Sequence, residues 1–148
     1  MHNICIFEDE LVENFYPLTY MRPVYDLVIG FNSFYDKCFR YFDYANISLQ
    51  CRDRLKGIVK NKFSGLSINQ VNSGSACLFV NGRTVMTQEL YDYLVSKLDQ
   101  NFLLTHQGQV VACYLERDYV DKMEGMLMDG VSNNVLIKQL SHICTVKE

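Results

Sequence analysis

The stretch ACLFV at residues 76–80, which runs directly into Asn81 and Gly82, is the strongest strand signal in the chain. Five consecutive apolar residues that end at a turn pair are typical of a strand buried on both faces. A second run of the same kind, NICIF at 3–7, opens the sequence. Strands of this type belong to parallel sheets with helices on both sides, so the two runs predict an α/β fold.

The segments between and after these two runs alternate between strand and helix patterns. Strands are predicted at 46–51, 67–71, 102–106 and 109–115, and helices at 33–44, 52–63, 88–98, 118–128 and 133–141. Residues 8–30, which contain both prolines, indicate a long ordered loop with one helical turn near 10–14. The alternation of strands with helices of about 10 to 13 residues predicts one mostly parallel sheet.

The length and composition favour a single compact domain over residues 1–148. The chain has 49% hydrophobic and 21% charged residues, and a chain of this size buries roughly 68–70% of the surface that it exposes when unfolded. That burial is enough for a core without a metal or disulfide bonds. The six cysteines form no CxxC pair and have no histidine at zinc-ligand spacing, so we interpret them as reduced thiols.

The charge and the apolar runs argue against two classes of partner. Fourteen Lys and Arg residues against 17 Asp and Glu residues give a formal net charge of -3, which disfavours a nucleic-acid partner. The opening apolar run is too short for a signal peptide, and no later run is long enough to span a membrane. We therefore expect a cytoplasmic protein without a membrane partner.

Ligands of open α/β sheets bind at the carboxyl ends of the strands, which here means the loops after Phe7 and Val80. The first of these loops begins with Glu8, Asp9 and Glu10. Carboxylates in such a cluster suit a hard divalent cation. A solvated turn, or the negative start of a short helix, is the alternative interpretation.

Arg22 and Asp26 lie further along the same loop, on either side of Pro23. The planar guanidinium of Arg22 suits a phosphate or a carboxylate, and the position before a proline favours an extended backbone. An Arg22–Asp26 ion pair that braces the loop is the alternative. The spacing of these residues does not name a ligand.

FED at 7–9, PLTYMRP at 17–23, Asp26, Lys37 and VNGR at 80–83 follow one another in an order that resembles a known family. The loop segment is similar to the R-P-L-T-x-x-R-P segment of sugar-1-phosphate nucleotidyltransferases. The set as a whole resembles the UDP-N-acetylglucosamine diphosphorylase-like branch of that family, over roughly the first three quarters of the chain.

The resemblance implies a three-layer Rossmann-like domain of the nucleotide-diphospho-sugar transferase type, with a mostly parallel central sheet. At 148 residues the chain is short for that family, which implies a truncated form of the domain. In this branch the domain is the N-terminal part of a longer protein and often precedes a left-handed β-helix acyltransferase domain. A C-terminal β-helix domain or further copies of the chain are therefore the protein partners that the resemblance implies.

The resemblance also implies a nucleotidyltransferase reaction. An oxygen of a sugar-1-phosphate attacks the α-phosphorus of UTP or dTTP, pyrophosphate leaves, and a nucleotide sugar forms. Mg²⁺ and cationic side chains neutralise the growing charge in such transfers. Arg22 and Lys37 are the implied catalytic cations, although Lys37 also fits an exposed position on the helix at 33–44. The implied contacts to nucleotide or sugar phosphate are Glu8, Asp9, Tyr20, Asp26, Asn81, Gly82 and Arg83.

Two departures from the family pattern bear on this reaction. Familiar members have a glycine-rich phosphate loop after the first strand, whereas this chain has no glycine before Gly30. They also end the central strand in N-G-D, whose aspartate binds Mg²⁺, where this chain has N-G-R at 81–83. An arginine cannot ligate a metal, so the cation site of the family is altered here.

Three interpretations follow from this change at Arg83. The cation site is rebuilt from Glu8, Asp9 or Asp26, or the guanidinium of Arg83 supplies the charge that a metal would bring to a phosphate. In the third interpretation the domain binds a nucleotide sugar without turnover, as a regulatory or oligomerisation domain. The sequence leaves all three open.

Overall fold

The computed structural model describes residues 3–43, 45–72, 74–127 and 130–148. Its strands are β1 (Asn3–Phe7), β2 (Val28–Ile29), β3 (Asn32–Ser33), β4 (Asn46–Leu49), β5 (Ser67–Ile68), β6 (Cys77–Asn81), β7 (Phe102–His106), β8 (Gln109–Leu115) and β9 (Thr145–Lys147). Seven of them form one sheet in the order β5-β4-β1-β6-β8-β7-β9, and β2 and β3 form a separate hairpin. The large sheet is parallel except where β8 pairs with β6 and β7.

Helices cover both faces of the sheet. They are α1 (Phe34–Tyr41), α2 (Lys56–Lys62), α3 (Gln88–Val95), α4 (Arg117–Met126) and α5 (Asn133–Leu140). Phe34, Val59 and Leu94 anchor α1, α2 and α3 in the hydrophobic cluster on one face. Met123 and Leu136 anchor α4 and α5 in the cluster on the other face. The fold is thus the three-layer α/β domain that the sequence predicts, and no helix among the described residues is long and apolar enough to cross a membrane.

The continuous apolar runs in β1 and β6 follow from burial on both faces. Successive side chains of a strand point to opposite faces, so Ile4 and Ile6 enter one cluster while Cys5 and Phe7 enter the other. Burial raises the pKa of the Cys5 thiol to about 12. All six cysteines are buried as free thiols, where each packs as a small apolar side chain.

The structure moves several predicted element boundaries. The helix predicted at 52–63 begins as a short 3-10 turn at Asp53–Leu55 before α2 starts. The helix predicted at 33–44 starts at the capping box formed by Ser33 and Asp36, and ends at Tyr41. The helix predicted at 118–128 is α4, which ends at Met126. Residues 44 and 128, the last residues of those two predicted helices, lie outside the described part of the chain.

β2, β3 and β9 have no counterpart in the sequence predictions. β2 and β3 have two residues each, which is too short for an alternating pattern to be visible. Both residues of β2 are exposed, and so are all three residues of β9. Strands that bury no apolar face leave no period-two signal in a sequence, so these three could not be found from hydrophobicity.

The parallel strands β4, β1 and β6 are neighbours, so their carboxyl ends meet at one edge of the sheet. We call this the carboxyl edge and define it by the residues that follow these strands or end them: Glu8, Asp9, Arg52, Asn81 and Arg83. Asp9 also forms an isolated β-bridge with Val131, which brings the start of α5 to the same edge.

Candidate functional site

The carboxylate of Asp9 is the centre of the carboxyl edge and is fully buried. Its Oδ1 atom accepts hydrogen bonds from the backbone N–H of Leu11 at 3.1 Å and from Nε of Arg83 at 3.0 Å. Its Oδ2 atom accepts from the side-chain amides of Asn81 at 2.7 Å and Asn133 at 2.9 Å, and from Nη2 of Arg83. Five donors therefore converge on one carboxylate.

These donors keep Asp9 ionised. Burial is the largest single effect on the carboxyl group and raises its pKa, but the hydrogen bonds from Arg83, Asn133 and Asn81, together with the positive charge of Arg83, outweigh it. The pKa of Asp9 therefore lies below its ordinary value of 3.8. At neutral pH the carboxylate is a fixed negative charge that orients Arg83.

Arg83 is held on three sides. In addition to its two contacts with Asp9, its Nη1 atom donates to Oε1 of Gln109 at 3.0 Å, and its backbone N–H donates to Oδ1 of Asn81 at 3.0 Å. Asn81 in turn donates to the backbone carbonyl of Val110 at 2.9 Å. Arg83 also lines a cavity of about 250 Å³, so a buried network orients a guanidinium that reaches a concave surface.

Glu8 forms a separate ion pair with Arg52. Oε2 of Glu8 accepts hydrogen bonds from the backbone N–H and Nε of Arg52, both at 3.2 Å. Oε1 accepts from the backbone N–H of Val24 at 2.7 Å. The side chain of Glu8 is only 2% exposed and that of Arg52 only 10% exposed, so the pair is shielded from solvent.

Arg52 ties the loop that contains PLTYMRP to the sheet. Its Nη2 atom donates to the backbone carbonyls of Thr19 at 2.7 Å and Arg22 at 3.1 Å. The hydroxyl of Thr19 donates to the carbonyl of Val12 at 2.9 Å, which fixes the same loop from its other side. The Glu8–Arg52 pair therefore sets the position of residues 17–23 relative to the carboxyl edge.

A smaller cavity of about 140 Å³ lies beside this pair and is lined by Arg52, Asp9, Glu10, Glu13 and Tyr16, among others. The Nη1 atom of Arg52 is buried and has no hydrogen-bond partner among the described residues. A buried guanidinium N–H without a partner is unfavourable. A ligand oxygen that reached this atom would remove that penalty.

Gly82 allows the close packing behind the site. A Cβ atom at this position would lie 2.9 Å from Cδ1 of Tyr25 and 3.0 Å from the backbone oxygen of Phe7. Its N–H donates to that same oxygen at 2.7 Å. Gly82 thus serves the packing of β6 against β1 and Tyr25, which is a structural reason for glycine at this position.

Arg22 and Tyr20 lie on the surface of the loop at residues 17–23. Both side chains are exposed, and the ring of Tyr20 stacks on that of Tyr16 with their centroids 4.3 Å apart. Arg22 lines a groove of about 370 Å³ whose other lining residues are apolar: Phe15, Leu18, Leu27, Val28, Ile29 and Phe34. Its side chain is thus available to a ligand, and its function in binding or catalysis stays a prediction.

Asp26 and Lys37 are engaged elsewhere. Asp26 pairs with Lys62 of α2 at 2.6 Å, so the brace that it forms runs to α2 and not to Arg22. Nζ of Lys37 donates to the backbone carbonyl of Ile29 at 2.8 Å, in strand β2 of the hairpin. Within the described residues, neither side chain forms a hydrogen bond or an ion pair with Asp9, Asn81 or Arg83.

The carboxylates of Glu8 and Asp9 do not fit a cation in this arrangement. Both oxygens of Asp9 and both oxygens of Glu8 already accept hydrogen bonds from arginine and amide donors. In the described part of the chain, no group of three or more His, Cys, Asp or Glu side chains is placed to hold a metal ion. Arg83 stands where the family pattern has a metal-binding aspartate, so we derive no step through a metal.

Three residues of this network were not identified from the sequence: Arg52, Gln109 and Asn133. Arg52 follows the predicted strand at 46–51, so the rule that ligands meet at strand ends could have found it. Gln109 and Asn133 carry no such signal. Asn133 reaches Asp9 only because Val131 bridges to that residue, and a contact over such a sequence distance leaves no local pattern.

The fold and its carboxyl edge define an α/β domain with a buried polar network where its parallel strands end. A family model described as sugar nucleotidyl transferase matches residues 4–146. The chain therefore belongs to the sugar nucleotidyl transferase family.

One similar solved structure is described as a glucose-1-phosphate thymidylyltransferase from Bacillus anthracis in complex with a sucrose. The TM-score is 0.61 at 10% sequence identity, and the likeness covers 100% of this chain and 86% of that chain. At this identity the likeness shows the fold alone. A comparison with curated proteins finds no match.

Proposed function

We propose that this domain binds UTP or dTTP and a sugar-1-phosphate at the carboxyl edge and converts them into a nucleotide sugar and pyrophosphate. Family membership over residues 4–146 is the observation that carries the proposal. The finer assignment, to the UDP-N-acetylglucosamine diphosphorylase-like branch, rests on PLTYMRP at 17–23 and N-G-R at 81–83.

In the proposed reaction, an oxygen of the sugar-1-phosphate forms a bond to the α-phosphorus. The bond from that phosphorus to the oxygen bridging it to the β-phosphorus breaks, and the electron pair leaves with pyrophosphate. A phosphate monoester is already largely ionised at neutral pH, so the attacking oxygen needs no general base. The protein's contribution is then to position the two phosphates and to stabilise the growing negative charge.

We assign two cationic side chains to that contribution. Arg83 is oriented by Asp9 and Gln109 and lines the 250 Å³ cavity. Arg22 extends from the loop that Arg52 holds against the sheet. A guanidinium fixed before the reaction stabilises developing charge without having to reorganise, and this applies to Arg83. The side chain of Arg22 is exposed, and we assign it with Arg83 to the triphosphate and the leaving pyrophosphate because of its charge.

A second candidate function is a nucleotide-sugar-binding or oligomerisation domain without turnover. It is favoured by the arginine and amide donors that occupy the carboxylates of Asp9 and Glu8. It is also favoured by an apolar surface next to the loop, where Leu18, Met21 and Val28 are each more than 60% exposed and Phe31 is completely exposed. Exposed apolar clusters of this kind often mark protein–protein contacts.

Pyrophosphate release distinguishes the two functions. The purified chain is incubated with UTP or dTTP and either glucose-1-phosphate or N-acetylglucosamine-1-phosphate, with Mg²⁺ or Mn²⁺ and without added metal. We expect release with at least one pair of substrates, and Arg22→Ala to lower its rate by about a hundredfold. Arg117→Ala is the matched control, because Arg117 follows β8 at the opposite edge of the sheet. This control variant should leave the rate of pyrophosphate release unchanged.

Calorimetric titration with UTP, dTTP and UDP-N-acetylglucosamine completes the test. Binding without pyrophosphate release under any metal condition would favour the second candidate. Absence of both binding and release at millimolar ligand would contradict the enzyme and the nucleotide-sugar-binding domain, and would leave only the oligomerisation domain.

A further inference from the structure

The net charge of the Asp9–Arg83 pair equals that of a metal site, although the pair contains no metal. A divalent cation held by two carboxylates gives a centre with no net charge. Here one carboxylate, that of Asp9, is paired with one guanidinium, that of Arg83, and the centre is again neutral. The exchange of a family aspartate for Arg83 therefore removes a negative charge and supplies a positive one at the same strand end.

The guanidinium of Arg83 retains donors for a ligand. Arginine carries five N–H groups. Three of them are used by described residues: Nε and one N–H of Nη2 bond Asp9, and one N–H of Nη1 bonds Gln109. One N–H on each terminal nitrogen is then left over among the described contacts. Two donors on one planar group match the spacing of two phosphate oxygens.

The surroundings of Arg83 are suited to a phosphoryl group. The cavity of about 250 Å³ is lined by Asn81, Arg83, Thr84, His106, Gln109, Val110 and Val111. The lining contains no carboxylate. The imidazole of His106 brings a ring N–H to the same space, whereas the hydroxyl of Thr84 already donates to the backbone carbonyl of Val111 at 3.4 Å. The negative charge of Asp9 is fully buried and compensated by its donors, so an anion in the cavity meets the guanidinium first.

We propose that Arg83 is a built-in cation of the phosphate site, so that this domain binds the diphosphate portion of its nucleotide without a divalent metal. The inference rests on the proposed function, which supplies the nucleotide, and adds that the metal of the family is dispensable for binding. Asp9 and Gln109 act as positioning residues, because they orient the guanidinium and leave two of its N–H groups for phosphate oxygens.

The test is calorimetric titration of the wild-type chain with UTP and with inorganic pyrophosphate, in excess EDTA and again in excess MgCl₂. We expect binding in EDTA that is at least as tight as binding in MgCl₂, because the metal-free phosphates carry more negative charge toward Arg83. Arg83→Gln should weaken binding by about tenfold or more in both buffers. Arg83→Lys keeps the charge but loses the planar pair of donors, so its affinity should lie between those of the wild type and Arg83→Gln. Arg117→Gln should bind like the wild type.

Binding that appears only with MgCl₂ would overturn this inference and leave the proposed function standing. Absence of binding in both buffers would overturn the proposed function and this inference together. Circular dichroism and thermal unfolding check that each variant is folded. If Arg83→Gln does not fold, two measurements still test the inference: the comparison of wild-type binding in EDTA and in MgCl₂, and the titration of Arg83→Lys. A folded Arg83→Gln that binds as tightly as the wild type would overturn the inference.

Discussion

Asp9→Asn is expected to lower the free energy of unfolding at neutral pH by about 3 kcal/mol or more, since it leaves the largely buried Arg83 without its carboxylate. The asparagine has nearly the same shape, so little packing is lost. Its NH₂ group, however, faces donors from Asn81, Asn133 and Arg83 that need an acceptor. Urea unfolding followed by circular dichroism measures the change.

The matched control is Asp121→Asn on α4, where the aspartate is exposed and the change should stay within about 0.5 kcal/mol. An Asp9→Asn variant as stable as this control would contradict the proposed network.

The pH dependence of the stability of Asp9→Asn provides a second test of the network. Folding lowers the pKa of Asp9 below 3.8, so folding favours the ionised form. The resulting stabilisation is present in full above the ordinary pKa, and it is lost as the pH falls through 3.8 toward the pKa of the folded state. The difference in stability between wild type and Asp9→Asn should therefore narrow below about pH 4. A difference that stays constant would assign the effect to packing.

Arg52→Met is expected to destabilise the domain by about 3 to 5 kcal/mol, because it leaves the buried carboxylate of Glu8 without its partner. It also removes the donor to the carbonyls of Thr19 and Arg22. The loop at residues 17–23 should therefore exchange its backbone amide hydrogens faster relative to β1, as measured by hydrogen–deuterium exchange. Arg117→Met controls for the loss of an arginine at an exposed position.

A double-mutant cycle with Glu8→Gln separates the ion pair from general damage to the loop. Removing both charges leaves no uncompensated buried ion, so the double variant should be more stable than the sum of the two single losses implies. We expect a coupling energy of about 1 to 3 kcal/mol. Additive losses would mean that Glu8 and Arg52 stabilise the fold independently.

The architecture was predictable because burial leaves a pattern in the sequence. β1 and β6 are covered on both faces, so each appears as an unbroken apolar run, and their parallel pairing brings Asp9, Asn81 and Arg83 to one edge. β2 and β9 bury nothing and were missed for that reason.

The partners of the site residues were less predictable than their positions. The rule that ligands bind at the carboxyl ends of parallel strands predicts which edge of the sheet holds the site. It does not predict which donor bonds which carboxylate. Glu8 and Asp9 are adjacent in sequence, yet one pairs with Arg52 and the other with Arg83. Side-chain direction and the approach of Asn133 decide this outcome, and neither has a local sequence signal.

Binding of nucleotide at the carboxyl edge is measured by mapping chemical-shift changes of the backbone amides during a titration with UTP. We expect shifts at residues 81–83 and 19–22, and at the amide of Gln109. The amides of residues 117–119, at the opposite edge of the sheet, should stay unchanged. Shifts confined to that opposite edge, or an unchanged spectrum at saturating UTP, would contradict binding at the carboxyl edge.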